Sequence, residues 1–178
     1  ATLVATVNPP ALAGGVFNID NALSSLNQKS IKLLHKILKS GTSISKKDWF
    51  SVGDYKKIPN EVGGRMTTAP EKVRQEMATL IKRYGRSANK SLEDILAFHV
   101  AFERIHPFQD GNGRVGRLIM FKECLRCGIT PFIVGDDLKL YYYRGLSEWD
   151  DMPGYLIDTC LTAQDRFKKI LDYFKVAC

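Results

Sequence analysis

The stretch IHPFQDGNGRVGR, residues 105–117, concentrates more chemistry than any other part of the chain. It sets His106 in a turn after one helical pattern, Asp110 four residues later, then Gly111-Asn112-Gly113, and finally Arg114 and Arg117 at the start of another helical pattern. Glycines allow several backbone N–H groups to converge on one point, which makes an anion nest at a helix N-terminus. Arg114 and Arg117 are three apart and share a helical face, from which planar guanidinium groups can clamp phosphate oxygens. A carboxylate at Asp110, beside such a cradle, is a natural ligand for Mg²⁺, which favours carboxylate and phosphate oxygens. His106 is then a titratable base next to a metal-bound polyphosphate, an arrangement suited to deprotonating a hydroxyl and aiming it at phosphorus.

On either side of this stretch the patterning is helical, and the expected fold class is all-α. From Asp20 the run to Gly41 repeats apolar residues at Ile31, Leu34, Ile37 and Leu38. Pro70 opens PEKVRQEMATLIKRY, which Gly85 closes. Ser91-Leu-Glu-Asp94 is a capping box for a helix whose Leu92, Ile95, Leu96, His99 and Phe102 share one face. A further helix is expected from Asn112 to Cys127, stopped by Gly128. The last runs from Gly154 to Lys175, with Leu161, Phe167, Ile170, Leu171 and Phe174 inward. Residues 50–65 carry the punctuation of a hairpin or loop, and ITPFIV at 129–134 is the other strand candidate. Residues 1–15 read as an extended arm before a domain spanning 16–178.

Two competing readings of the central stretch weaken on inspection. Gly111, Gly113 and Gly116 match GxGxxG formally, with Asp136 and Asp137 about twenty residues on. A dinucleotide fingerprint, however, needs a buried parallel strand directly before its first glycine, and here a helix and His-Pro-Phe-Gln-Asp intervene. A purely structural glycine turn explains the glycines but not a His, an Asp, an Asn and two Args in twelve residues.

Composition sets the outer limits. The 178 residues are 44% hydrophobic and 25% charged, an ordinary globular balance for one domain. No apolar run approaches the ~18 residues of a spanning helix. A net charge of +7 favours polyanionic company. The basic run KRYGRSANK at 82–90 has one aromatic and reads as a solvated inter-helix turn, so nucleic acid is not the expected partner. Cys124 and Cys127 are spaced as in a metal or redox motif, but no second pair or suitably spaced histidine accompanies them, and both read as thiols on one helix face. His35 and His99 sit on apolar stripes and read as core histidines bonded to carbonyls. The N-terminal residues lack a basic n-region, so a reducing cytoplasm is the expected compartment.

The central stretch resembles the signature of the Fic family, His-x-Phe-x-(Asp/Glu)-Gly-Asn-Gly-Arg-x-x-Arg, at every fixed position: His106, Phe108, Asp110, Gly111, Asn112, Gly113, Arg114 and Arg117. Leu34-His35, YKKIPNEVGG at 55–64, Ala69-Pro70 and Tyr141–Tyr143 extend the similarity over most of residues 17–175. The resemblance implies a helical Fic domain with a small β-hairpin flap that transfers AMP from Mg·ATP to a Ser, Thr or Tyr hydroxyl of a target protein. His106 is then the base, Asp110 the Mg²⁺ ligand, Gly111, Asn112 and Gly113 the seat of the α- and β-phosphates, and Arg114 and Arg117 the holders of the outer phosphates. Phe108 anchors the loop in the core. Ile58, Pro59, Asn60, Glu61, Val62 and Gly63 correspond to the flap that pairs with the target by strand addition, and Tyr142 to a wall of the nucleotide site. Intact Gly113 favours AMP transfer over the phosphoryl transfer of relatives with lysine there; transfer of another nucleotide, or a non-catalytic basic adaptor, are the alternatives. The family's inhibitory (Ser/Thr)-x-x-x-Glu-(Gly/Asn) helix has no counterpart: Thr67 precedes Glu71 at the right distance, but Lys72 follows and Pro70 intervenes. Arg117 is therefore expected to be unblocked, with any inhibitory glutamate supplied by a separate antitoxin-like chain or by residues before Ala1. Delivery to a host cytosol is the alternative compartment that the resemblance implies.

Overall fold

Ser91 starts the helix around which the others gather. Its hydroxyl accepts from Asp94 N–H at 3.1 Å while the Asp94 carboxylate accepts from Ser91 N–H at 2.9 Å, the reciprocal bonding of a capping box. In this computed structural model, which describes residues 24–176, six α-helices and one two-stranded hairpin appear among the described residues. They are α1 (Gln28–Lys39), β1 (Glu61–Val62), β2 (Arg65–Met66), α2 (Pro70–Tyr84), α3 (Leu92–Ile105), α4 (Asn112–Arg126), α5 (Lys139–Ser147) and α6 (Gly154–Tyr173). The all-α expectation holds, hairpin included. The proposed arm at 1–15, the start of the first helical run at 20–23 and Cys178 lie outside the described residues.

α3 is the hub. Ile95, Leu96, Phe98, His99, Val100, Phe102 and Ile105 are all buried, so it is covered on most of its circumference by α2, α4 and α6. α4 packs on both α3 and α1, and α5 lies along α6. The junction between α3 and α4 is the 106–111 loop, which carries the unusual stretch between two packed helices. No helix among the described residues is long and apolar enough to cross a membrane.

Several expectations need correction. α1 begins at Gln28, with residues 24–27 non-helical before it, because the Asn27 side chain caps it by accepting from Ser30 N–H at 3.0 Å. ITPFIV is an extended connector without a strand partner among the described residues; Ile129 N–H bonds Cys124 C=O at 2.9 Å, and Gln164 Nε2 donates to Thr130 C=O at 2.6 Å. α6 buries Leu156, Thr159, Cys160, Ala163 and Gln164, whereas Leu161, Ile170 and Phe174 are exposed. Its C-terminal third runs past the core, so apolar periodicity there does not report burial. α5 escaped notice because only Tyr142 and Gly145 of its nine residues are buried, too few to make a stripe. Cys124 and Cys160 are buried free thiols, while Cys127, the C-cap of α4, is half-buried. Of the basic run at 82–90, Lys82, Arg83 and Tyr84 form the last turn of α2, with Tyr84 buried, and only residues 85–90 make the turn between α2 and α3.

A buried carboxylate locks α4 to α2. Glu123, 1% exposed, accepts from Tyr84 Oη at 2.9 Å, Lys122 Nζ at 2.9 Å and Arg126 Nη2 at 2.7 Å. Desolvation, the largest influence, works to raise its pKa, but Arg126 and Lys122 outweigh it and hold the carboxyl below its ordinary 4.5. Removing a partner from such a network leaves buried charge uncompensated. Glu123→Ala is expected to lower unfolding free energy by about 3–5 kcal/mol, read from urea denaturation at neutral pH. Because the folded pKa is depressed, Glu123's contribution is complete above the unfolded value and is lost as pH falls through the folded one. The gap between wild type and Glu123→Ala should therefore narrow under acid; a pH-independent gap would contradict the assignment.

Candidate functional site

Phe108 fixes the loop. Its ring is fully buried, stacked on His35 with centroids 4.0 Å apart and planes 2° from parallel, and it also meets Tyr55 and Phe102. Its backbone is held by Asn112: Oδ1 accepts from Phe108 N–H at 2.8 Å and Nδ2 donates to Phe108 C=O at 2.8 Å. Asn112 is itself 1% exposed. The Asn112 side chain is thus spent on the loop, and what the residue can offer an anion is its backbone N–H. The first N–H groups of a helix have no intrahelical acceptor, and those of Asn112, Gly113 and Arg114 stand at the start of α4. Gly111 precedes them at φ 86°, a conformation that favours glycine, and a Cβ there would approach Lys39 Cε to 2.9 Å.

Asp110 is clamped by α1 through both of its polar groups. His35 Nε2–H donates to its C=O at 3.1 Å, while His35 Nδ1 accepts from Gly53 N–H at 2.9 Å, so the ring is neutral with its tautomer set. Burial, with Lys39 adding to it, lowers the His35 pKa to about 4. One turn along α1, the Lys39 ammonium binds Asp110 Oδ2. Oδ1 accepts from Gly111 N–H at 2.7 Å, and Arg114 Nη2 stands 3.7 Å from Oδ2. Partial burial acts to raise the Asp110 pKa, but Lys39, the Gly111 amide and Arg114 prevail, and the carboxyl stays ionised below its ordinary range.

His106 caps α3 in the left-handed region, φ 52° and ψ 60°. Its Nδ1 lies 3.2 Å from Glu103 C=O. A carbonyl only accepts, so Nδ1 carries the proton and Nε2 is the acceptor. Burial, reinforced by the Lys56 ammonium, lowers the His106 pKa against the opposing pull of the carbonyl and Asp110. Below it lies a polar cluster that sequence patterning did not single out. Glu103 Oε2 is 4.0 Å from His106 Nδ1, and its Oε1 is 3.9 Å from His99 Nε2 and has no hydrogen-bond partner. Burial raises the Glu103 pKa to about 7 despite the field of Arg117. His99 shares a 2.5 Å hydrogen bond with the Tyr142 hydroxyl, and the Tyr142 ring lies 5.9 Å from Arg117 Cζ. Gly116 lets α4 approach this cluster: a Cβ there would fall 2.6 Å from Glu103 Oε1 and 2.7 Å from the His99 ring.

The hairpin is tied to the same loop. β1 and β2 are antiparallel, with Val62 opposite Arg65 around a Gly63-Gly64 turn at φ 57° and 76°. Both strands are exposed. Beneath them the buried Lys56 ammonium donates to Asn60 Oδ1 at 2.7 Å, Thr67 Oγ1 at 2.6 Å and Ile105 C=O at 3.4 Å. Lys56 N–H bonds Pro107 C=O at 2.9 Å, Asn60 Nδ2 donates to Phe108 C=O at 3.0 Å, and Ile58 N–H reaches Gln109 Oε1 at 3.3 Å.

A model of the Fic/DOC family matches residues 25–124, more than half of the chain. The chain belongs to this family. Among curated relatives, the protein adenylyltransferase Fic of Drosophila mojavensis is 26% identical over 143 residues, which cover 74% of this chain and 28% of that protein. The chain therefore spans little more than a quarter of that relative's length. Among solved structures, Fic-1 of Caenorhabditis elegans (residues 134–508) superposes with a TM-score of 0.68 at 18% identity, covering 90% of this chain and 51% of that one. BepC of Bartonella tribocorum, solved with bound AMPPNP, gives 0.56 at 17% identity over 85% and 81% of the two chains. At these identities the structures speak for the fold.

Within this Fic domain, His106, Asp110, Gly111, Asn112, Gly113, Arg114 and Arg117 all come together at the α3–α4 junction. Tyr142 does not face open space: at 2% exposure it packs below Arg117, and Tyr141 and Tyr143 are the exposed neighbours. The flap segment divides, with Ile58, Pro59 and Asn60 forming the tether and Glu61 to Gly63 the start of the hairpin itself. Lys39, Lys56 and Glu103 went unnoticed because lysine and glutamate in helices and loops ordinarily mark solvated faces, and nothing in their spacing signals burial.

All three histidines are held neutral, His35 at about 4, His99 at about 3 and His106 below 6.5. Histidine ring NMR is expected to show no titration midpoint at or above 6.5 in the native protein. Since an unfolded chain takes up these protons first, native stability should fall as pH drops below 6.5. A His106 midpoint above 6.5 would contradict the geometry described.

Proposed function

We propose that this chain transfers AMP from ATP to a Ser, Thr or Tyr hydroxyl of a protein, releasing pyrophosphate. The observation that carries this reading is a neutral His106, with Nε2 as proton acceptor, fixed beside the amide-rich start of α4. The adenylyltransferase name of the Drosophila relative and the AMPPNP bound by BepC support a nucleoside triphosphate as the donor. In the proposed step His106 Nε2 takes the hydroxyl proton as the oxygen bonds to the α-phosphorus. The bond from that phosphorus to the bridging oxygen breaks, and pyrophosphate leaves with the electron pair. The N–H groups of Asn112, Gly113 and Arg114 receive developing charge on the phosphate oxygens, and Arg114 and Arg117 hold the outer phosphates.

Gly113 bears on the direction of transfer. A Cβ at this position would lie 3.3 Å from Arg117 Nη1, so a larger side chain would displace the guanidinium that holds the outer phosphates. The exposed hairpin edge is suited to an extended target segment, and its tether through Asn60 and Lys56 sets that segment's register relative to His106.

Mg²⁺ fits the donor chemistry of Asp110, whose carboxylate is 44% exposed at the mouth of the nest. The described residues contain no group of three or more His, Cys, Asp or Glu that could hold a metal ion. The remaining oxygens would come from phosphates and water, the shell this ion prefers. Its chemistry when bound with the nucleotide is neutralisation of phosphate charge.

Incubation with ATP labelled at the α- or γ-phosphate, alone and with a cell lysate, tests the reading. Label is expected on protein only from the α position, with an intact-mass increment matching AMP. His106→Ala is expected to reduce transfer by ~10²–10⁴ while ATP binding persists. Protein-bound label from the γ position alone would overturn AMP transfer, and full activity of His106→Ala would overturn the base.

A further inference from the structure

Lys39 is the last residue of α1, and its ammonium lies where a cation is least expected in a site thought to bind a divalent one. The residue is 3% exposed, and its ammonium binds Asp110 Oδ2. The seat is built around it. Its Cε is where a Cβ on Gly111 would collide, at 2.9 Å, and its Nζ lies 5.7 Å from the Phe50 ring centroid. His35, one turn earlier on α1, holds the main-chain oxygen of the same Asp110. The last turn of a helix, with its unpaired carbonyls, also favours positive charge. α1 thus presents a neutral donor and a cationic donor, four residues apart, to one aspartate.

We propose that Lys39 is a resident monovalent cation at Asp110 that sets how strongly nucleotide binding depends on a divalent ion. The inference rests on the reading of Asp110 as the residue that meets the metal–nucleotide complex. Two consequences follow from charge alone. Without a divalent ion, the ammonium neutralises Asp110, so the triphosphate meets no bare carboxylate beside the nest. With Mg²⁺ present, the ammonium repels the ion from the carboxylate the two must share. Lys39 therefore strengthens binding of metal-free ATP and weakens binding of Mg·ATP, compressing the difference between them. Arg114, 51% exposed and 3.7 Å from the same oxygen, acts in the same sense but from solvent, where its charge is screened.

Calorimetric titration with ATP in EDTA and with ATP in excess Mg²⁺ tests this on the full chain carrying His106→Ala, which suppresses turnover. The ratio of the two dissociation constants is the readout. Lys39→Met is expected to widen that ratio at least tenfold, weakening metal-free ATP and tightening Mg·ATP. Lys39→Gln, which retains a hydrogen-bond donor without charge, should widen it too and serves if Lys39→Met fails to fold. Lys39→Arg should preserve the wild-type ratio, which a merely structural contact would not predict. An unchanged ratio in both neutral variants overturns the role of Lys39 while leaving Asp110 at the metal. A ratio that narrows overturns it as well, making Lys39 only a clamp that presents Asp110. If Mg²⁺ alters ATP binding in neither the parent nor an Asp110→Asn variant, both the inference and the reading beneath it fall.

Discussion

The two hydrogen bonds between the Asn112 side chain and the Phe108 backbone hold the functional end of this molecule together. They close the loop between α3 and α4 at a fixed radius, deep enough that neither partner is exchanged for water. Net, such bonds contribute about 1 kcal/mol each, but an unpaired buried amide costs about 1–3 kcal/mol, so the pair is all or nothing. The Phe108 ring, stacked on His35, resists the loop's rotation. With the loop so pinned, His106 must leave α3 through a left-handed residue, Gly111 must enter α4 through another, and Asp110 is delivered to Lys39. Phe108 C=O also receives the Asn60 amide, which ties the hairpin to the same point.

Around that anchor the electrostatics are arranged in layers. Cations surround Asp110 and keep it ionised, whereas burial and Lys56 keep His106 neutral. A neutral imidazole and the amide-rich start of α4 thus coexist within a few residues. The layer beneath is polar but nearly dry. Glu103, His99 and Tyr142 fill the space between α3, α4 and α5, and Gly116 permits their close approach. Burial raises the Glu103 carboxyl to about 7 despite the field of Arg117.

Much of this was legible in the residues alone where local chemistry is decisive. The capping box at Ser91, Pro70 at a first turn and Gly128 after α4 bound their helices within a residue or two, because each satisfies or ends a specific set of backbone groups. The eight motif residues from His106 to Arg117 lie together at the α3–α4 junction, as their closeness in sequence requires. Tertiary context decided the rest. The direction of the Asn112 side chain depends on Phe108's burial, which no local pattern signals. Lys39 and Lys56 went unnoticed because burial of a lysine depends on partners far away in sequence. Tyr142 looked like a wall and proved to be a support. The apolar residues of α6 beyond Gln164 repeat with helical spacing; of these, Phe167 meets another helix, edge-on to Phe121 of α4, while Ile170 and Phe174 stay exposed.

A crystal structure of the His106→Ala chain with ATP and Mg²⁺ tests the central claim most directly, that a loop locked by Asn112 presents backbone amides and a base to the α-phosphate. The expected result places the α-phosphate on the N–H groups at the start of α4, with its phosphorus facing the position of the deleted imidazole and the Asn112 amide still bonded to Phe108. A triphosphate bound elsewhere, or an Asn112 side chain that abandons Phe108 to contact it, would contradict the claim.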